Sequence, residues 1–241
     1  YSPLTKVLLF MSKNNILESI TSKKGQIGVL VDPDKFDLRQ VTDFTRKIEL
    51  AQVDYILVGG STVDKNSFER VVSALKEETK TPLICFPGDV YQYSEKADAL
   101  LYLSLLSGRN PDYLIGHHVR TSISIYESAL ETIPTAYILI DGKTPSAVSY
   151  VSQTLPIPSD QHQMVMQTAL AGILQGKKII YLDAGSGAKE SVPYEIIALL
   201  TQKNLPVIVG GGIRSISQIK EYQQAGANLI VIGNHIEENM D

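Results

Sequence analysis

The chain has 241 residues, a length that one α/β barrel or two smaller domains would fill. Hydrophobic residues make up 44% and charged residues 20%, with a formal net charge of −4. Those values argue against disorder and coiled coil, and with no basic block they give no support for nucleic-acid binding. No apolar run approaches the roughly 18 residues of a membrane span. The N-terminal cluster Val7 to Met11 is too short for a signal-peptide core. The one cysteine, Cys85, cannot pair within the chain; it fits a reducing cytoplasm and reads as a small buried hydrophobe.

In chain order, a helix is expected from about Asn14 to Lys23. Then come eight short, β-branched apolar segments: Ile27–Val31, Tyr55–Val58, Leu83–Phe86, Ala99–Leu103, Ala136–Ile140, Lys178–Leu182, Pro206–Val209 and Asn228–Ile232. Continuous rather than alternating apolarity implies strands covered on both faces, as in a parallel sheet. Helical patterns follow the first, second, fourth, fifth, sixth and seventh segments, at Leu38–Ala51, Lys65–Lys80, Asp112–Thr132, Asp160–Gln175, Val192–Lys203 and Ser215–Ala225. Eight strands with intervening helices predict a single (β/α)8 TIM barrel over residues 1–241, its floor closed by the first helix. An open doubly wound sheet usually has fewer strands. The interval Pro87–Asp98 is only twelve residues long, so the third helix is short or missing. That reads either as a plain loop or as a side opening for something long and apolar.

Active-site groups of such barrels follow the strands. After the first strand stands Asp32-Pro33-Asp34-Lys35, after the second Gly59-Gly60-Ser61, and after the sixth Asp183-Ala184-Gly185-Ser186-Gly187-Ala188. The seventh is followed by Gly210-Gly211-Gly212-Ile213-Arg214 and the eighth by Gly233-Asn234. Glycines there let backbone N–H groups approach an anion, at the recurring phosphate site of these barrels. Gly185, Ser186 and Gly187 offer a third wall. Asp32 reads as a ligand for Mg2+, which takes one or two carboxylates plus substrate phosphates, and the Ser61 hydroxyl could add an oxygen. Asp34 reads as a cap for the following helix. Asp183, beside the phosphate site, is placed to accept a proton from a ligand hydroxyl; a hydrogen-bonded loop aspartate is the plainer alternative. His117 and His118 read as solvated helix residues within reach of substrate, and no histidine pair has zinc-ligand spacing.

Taken in order, Val31-Asp32-Pro33-Asp34-Lys35, Val58-Gly59-Gly60-Ser61, Tyr181-Leu182-Asp183-Ala184-Gly185-Ser186-Gly187-Ala188, Val209-Gly210-Gly211-Gly212-Ile213-Arg214 and Ile232-Gly233-Asn234 resemble the geranylgeranylglyceryl phosphate synthase family. That family also includes the heptaprenylglyceryl phosphate synthases. The resemblance runs from about Gly28 to Asn234. It implies a modified barrel whose third helix is an extended stretch, and an enzyme joining a polyprenyl diphosphate to the C3 hydroxyl of sn-glycerol 1-phosphate. By the same resemblance, Asp32 and Ser61 bind Mg2+. Tyr181, Leu182, Asp183, Ala184, Gly185, Ser186, Gly187, Gly211, Gly212, Gly233 and Asn234 hold glycerol phosphate. Asp183 orients or deprotonates the attacking hydroxyl, and Tyr181 faces the developing cation or the acceptor.

Two departures stand out: many archaeal members have Glu where Asp183 stands, and some bacterial members have Lys where Leu30 stands. The second favours the branch linked to a geranylgeranyl chain. The prenyl tail is expected to pass the third-helix gap, with Tyr91, Tyr93 and Tyr102 as candidate lining. A homo-oligomer, dimer or hexamer, is implied, compatible with exposed apolar helix faces such as Ile123, Ile125 and Tyr126, and the lipid product suggests transient membrane proximity. Two rivals share the phosphate cradle: a phosphosugar isomerase or thiamine-phosphate-type barrel, and a non-catalytic sensor of a phosphorylated ligand.

Overall fold

The protein is described here by a computed structural model covering residues 15–61, 63–128 and 130–233. The Val7–Met11 cluster, Asn14, Asn234 and His235 lie outside the described residues. Eight parallel strands close into a barrel in chain order: β1 (Gln26–Val31), β2 (Tyr55–Val58), β3 (Leu83–Cys85), β4 (Ala99–Leu105), β5 (Glu131–Leu139), β6 (Ile179–Asp183), β7 (Val207–Gly210) and β8 (Leu229–Gly233). The helices are α1 (Ile16–Ser22), α2 (Val41–Leu50, after a 3-10 turn Leu38–Gln40), α3 (Lys65–Glu78), α4 (His117–Glu127, after a π-type turn Asp112–Gly116), α5 (Ala147–Ser152), α6 (His162–Leu174), α7 (Tyr194–Thr201) and α8 (Ile216–Ala225). The TIM barrel read from the sequence is the fold, and Pro87–Asp98 contains turns but no helix. Among the described residues no helix is long and apolar enough to cross a membrane.

Side-chain alternation sorts the core into two layers. Tyr55 and Leu57, Ile179 and Tyr181, Leu229 and Val231 point into the barrel. Ile56 and Val58, Ile180 and Leu182, Ile230 and Ile232 face the helices. Helix α1 closes the floor as expected. Ile16 and Ile20 pack into the interior layer with Tyr55 and Leu229, the first residues of β2 and β8. Its first amides, of Ile16 and Leu17, donate to the Glu131 carboxylate at 2.8 and 2.9 Å. Cys85 is fully buried and its thiol is pushed up to about 12 by that burial, as a small core hydrophobe should be.

Three local expectations need correction. The helix predicted to run to Thr132 ends at Glu127, because Glu131 to Tyr137 pair with Ala99 to Leu105 and begin β5 five residues early. Pro134 hides this in the sequence, since proline argues against a central strand. Helix α5 was not read at all; a reciprocal capping box between Ser146 and Ser149 starts it. Asp37, not Asp34, caps the turn into α2, its side chain accepting from the Arg39 amide.

Candidate active site

Tyr181 and Asp183 stand two residues apart on β6, so both side chains project into the top of the barrel. Tyr137 is in register with Tyr181 on the neighbouring strand, and its hydroxyl donates to Asp183 Oδ2. The Gly185 amide donates to Asp183 Oδ1 at 2.7 Å. Phe86, one residue past β3, stacks on Tyr181 with ring centroids 4.9 Å apart and planes 9° apart, and Tyr137 leans on Tyr181 at 5.5 Å. Burial pushes the Asp183 carboxyl above its ordinary value, against the pull of the Tyr137 and Gly185 hydrogen bonds. Burial likewise raises both tyrosines well above the usual phenol, so each hydroxyl remains a donor at neutral pH. A carboxylate gripped at both oxygens, inside an aromatic wall, is oriented for proton transfer.

The glycine loops close around it. Gly211 has φ +82, and a Cβ there would lie 2.4 Å from Asp183 Oδ1 and 2.6 Å from the Gly185 nitrogen, so only a bare backbone fits. Gly187, at φ +74, faces open space. Ser186, Gly187, Gly211, Gly212 and Gly233 all line one cavity with Tyr181 and Asp183. Three residues expected in the cradle stand apart from that lining. Leu182 and Ala184 turn their side chains outward to the helical layer, as strand alternation requires. Gly185 spends its N–H on Asp183 rather than facing a ligand. Arg214 also lines the cavity and donates to the Ala188 carbonyl at 2.7 Å, holding the β6 loop.

Across the mouth, Asp32 and Ser61 line the same cavity. Asp32 Oδ1 accepts from the Asp34 amide at 3.2 Å, and Oδ2 lies 2.7 Å from Lys35 Nζ. Gly60 keeps space clear beside it: a Cβ there would be 3.0 Å from Oδ1. One carboxylate and one hydroxyl, both hard oxygens beside open space, suit Mg2+, which completes its shell with water and substrate phosphates. Among the described residues no three His, Cys, Asp or Glu side chains cluster as a metal site. A resident ion would therefore draw most ligands from substrate and water. Gln92, fully buried, ties this rim together. Its Oε1 accepts from the Gly88 and Gly60 amides at 2.9 and 3.4 Å, and its Nε2 donates to the Val63 carbonyl at 3.2 Å.

The cavity, about 850 Å³, does not end at the polar rim. An apolar arm leaves the barrel mouth where the third helix is missing. It is walled by Leu101 and Leu105 from the interior layer and by Leu100, Tyr102 and Ile125 from the outer one. Tyr93 and Tyr102 line it, whereas Tyr91 is 60% exposed and does not. The expectation of solvated histidines is wrong for this pair. His118 stacks on Tyr102 at 4.0 Å and donates from Nε2 to the Leu103 carbonyl at 2.6 Å, while His117 lies 4.7 Å from the Tyr113 ring. Burial lowers both from the ordinary imidazole value, which favours the neutral ring.

The sequence matches the PcrB family over residues 20–241. It is 44% identical to a geranylgeranylglyceryl phosphate synthase of Chitinophaga pinensis over 93% of this chain and 91% of that one. It is 45% identical to a synthase of the same name from Zunongwangia profunda, over 92% and 95%. The chain belongs to the geranylgeranylglyceryl phosphate synthase family. Its members are prenyltransferase enzymes. The fold superposes on the crystal structure of (S)-3-O-geranylgeranylglyceryl phosphate synthase from Thermoplasma acidophilum in complex with substrate sn-glycerol-1-phosphate. That match has a TM-score of 0.85 and 32% identity, covering 93% of this chain and 91% of that one.

Tyr137, Phe86, Gln92 and Lys35 also line this cavity, and sequence reasoning did not assign them to it. Lys35 had a signal, a cation three residues after the metal-ligand candidate Asp32. Tyr137 and Phe86 sit in apolar strand segments that look like plain core, and Gln92 sits in a short interval without periodicity.

Proposed function

We propose that this chain is a cytoplasmic, Mg2+-dependent prenyltransferase. It joins a polyprenyl diphosphate, geranylgeranyl in our reading, to the C3 hydroxyl of sn-glycerol 1-phosphate through an ether bond and releases diphosphate. One observation carries the reading: a single cavity joins a glycine-lined polar end, with a buried oriented carboxylate, to an apolar arm through the third-helix gap. An isomerase or a sensor of a small phosphorylated ligand has no use for that arm. The substrate named for the Thermoplasma acidophilum structure supports the polar end as the glycerol phosphate site.

In this reading the backbone of Ser186, Gly187, Gly211, Gly212 and Gly233 grips the phosphomonoester, with Asn234 beyond the described residues as a further contact. That fixes the C3 hydroxyl toward the prenyl C1, a proximity effect worth up to roughly 7–11 kcal/mol. Asp183 takes the hydroxyl proton as the new C–O bond forms and the diphosphate leaves with the old bond's electron pair. The Tyr181 and Phe86 faces border the carbon where positive charge develops, and ring faces attract cations. Asp32 and Ser61 would hold Mg2+, which when bound supplies electrostatic stabilisation of the departing diphosphate. The apolar arm takes the tail at about 0.8 kcal/mol per buried CH2. The test is incubation with glycerol 1-phosphate and prenyl diphosphates of graded length, with extracted products weighed by mass spectrometry. Ether product peaking at the C20 chain is expected; no ether from any length overturns the reading.

A further inference from the structure

We propose that Lys35 is a binding residue for the leaving diphosphate, an inference that rests on the prenyl-transfer reading above. A prenyl diphosphate brings more negative charge to the mouth than one divalent ion neutralises, so a second cation is needed where that charge departs. Of the lysines and arginines lining the cavity among the described residues, Arg214 stands on the β6–β7 side, beside the glycine loops, with one guanidinium nitrogen donating to the Ala188 carbonyl. Lys35 is the other. Its ammonium stands at the β1–β2 side, 2.7 Å from Asp32 Oδ2, with its side chain 58% exposed and turned to the same cavity as Asp32 and Ser61.

A structural role explains this placement poorly. An ion pair three residues apart on an exposed turn contributes little to stability. The turn is already closed by the Lys35 and Phe36 amides, both donating to the Asp32 carbonyl at 3.0 Å. A flexible ammonium beside hard oxygens is instead the usual form of a phosphate contact. Its pairing with Asp32 keeps the ammonium at the mouth until phosphate oxygens replace the carboxylate as its partner.

The experiment titrates inorganic diphosphate, and separately glycerol 1-phosphate, into wild type, Lys35→Met and Lys35→Arg by calorimetry in the presence of Mg2+. Lys35→Met is expected to weaken diphosphate binding at least tenfold with glycerol 1-phosphate affinity unchanged, and Lys35→Arg to recover most of the loss. Wild-type diphosphate affinity in Lys35→Met overturns the proposal. So does an equal loss for both ligands with a lower melting temperature, which marks a residue that only holds the turn. Failure of the prenyl-transfer reading shows separately, as absent ether product in the wild type, and does not alter the two titrations.

Discussion

At the scale of single residues, Asp183 and Tyr137 make a pH argument. A base must be ionised, and burial holds the Asp183 carboxyl above the ordinary aspartate value, so the acid limb of turnover should fall at a pH above that range. Tyr137 works the other way, because its hydroxyl donates to the charged form. Tyr137→Phe should move the limb to higher pH and lower kcat, with glycerol phosphate affinity nearly intact; an unmoved limb removes Tyr137 from this role. Stability gives the complementary sign. A carboxyl raised by folding favours the folded chain at low pH, and that advantage is lost as pH climbs through the folded value. Asp183→Asn should therefore abolish turnover yet raise Tm at pH 7, at roughly 2–4 °C per kcal/mol, with no rise near about pH 3. Asp183 was legible because a charge at the end of an apolar strand has no packing explanation. Tyr137 was not, because its partnership depends on the register of β5 against β6, and no local pattern encodes register.

At the scale of elements, the segment between β3 and β4 is the part that was read by arithmetic. Twelve residues cannot supply two loops and a full helix, and none forms. What the count could not say is how a segment without helix keeps its shape. Gln92 does this, with a fully buried amide serving two loops at once. Gln92→Met keeps the volume but leaves the Gly88 amide and the Val63 carbonyl without partners, a cost of about 1–3 kcal/mol for each buried group left unmade. A fall in Tm of several degrees is expected in thermal melts, with KM for the prenyl substrate rising more than KM for glycerol 1-phosphate, since Ser61 sits on the β2 loop between Gly60 and Val63, the two residues Gln92 holds there. An unchanged KM ratio would mean that the loops hold their places without it. Elsewhere the strands were legible from continuous apolar runs, and the errors cluster where one residue contradicts its element. Pro134 masks the start of β5, and short, serine-rich α5 has too few turns to show a period.

At the scale of the whole molecule, α4 presents two unlike faces. His118, Thr121 and Ile125 turn inward to the cavity, so Ile125 is not part of an exposed surface, contrary to the expectation for it. Ile123 and Tyr126 do face outward, at 73% and 90% exposure, and Ile115 and Val119 extend them along the same side at 58% and 66%. Spacings of four, four and three residues make this one apolar stripe, continued into the preceding turn. Contiguous exposed apolar surface of this kind marks an interaction site. We therefore expect the chain to self-associate through α4, and light scattering to give a mass that is a multiple of one chain. Ile123→Glu with Tyr126→Ser should drive that mass to a single chain while the circular dichroism stays unchanged, since neither side chain packs in the core. Because the opposite face of the same helix walls the apolar arm, dissociation should, on the proposed function, weaken long prenyl substrates more than glycerol 1-phosphate. A variant of unchanged mass would assign the stripe to another partner. A monomer with unchanged prenyl KM would show that the arm is complete within one chain, leaving assembly and catalysis as separate properties of α4.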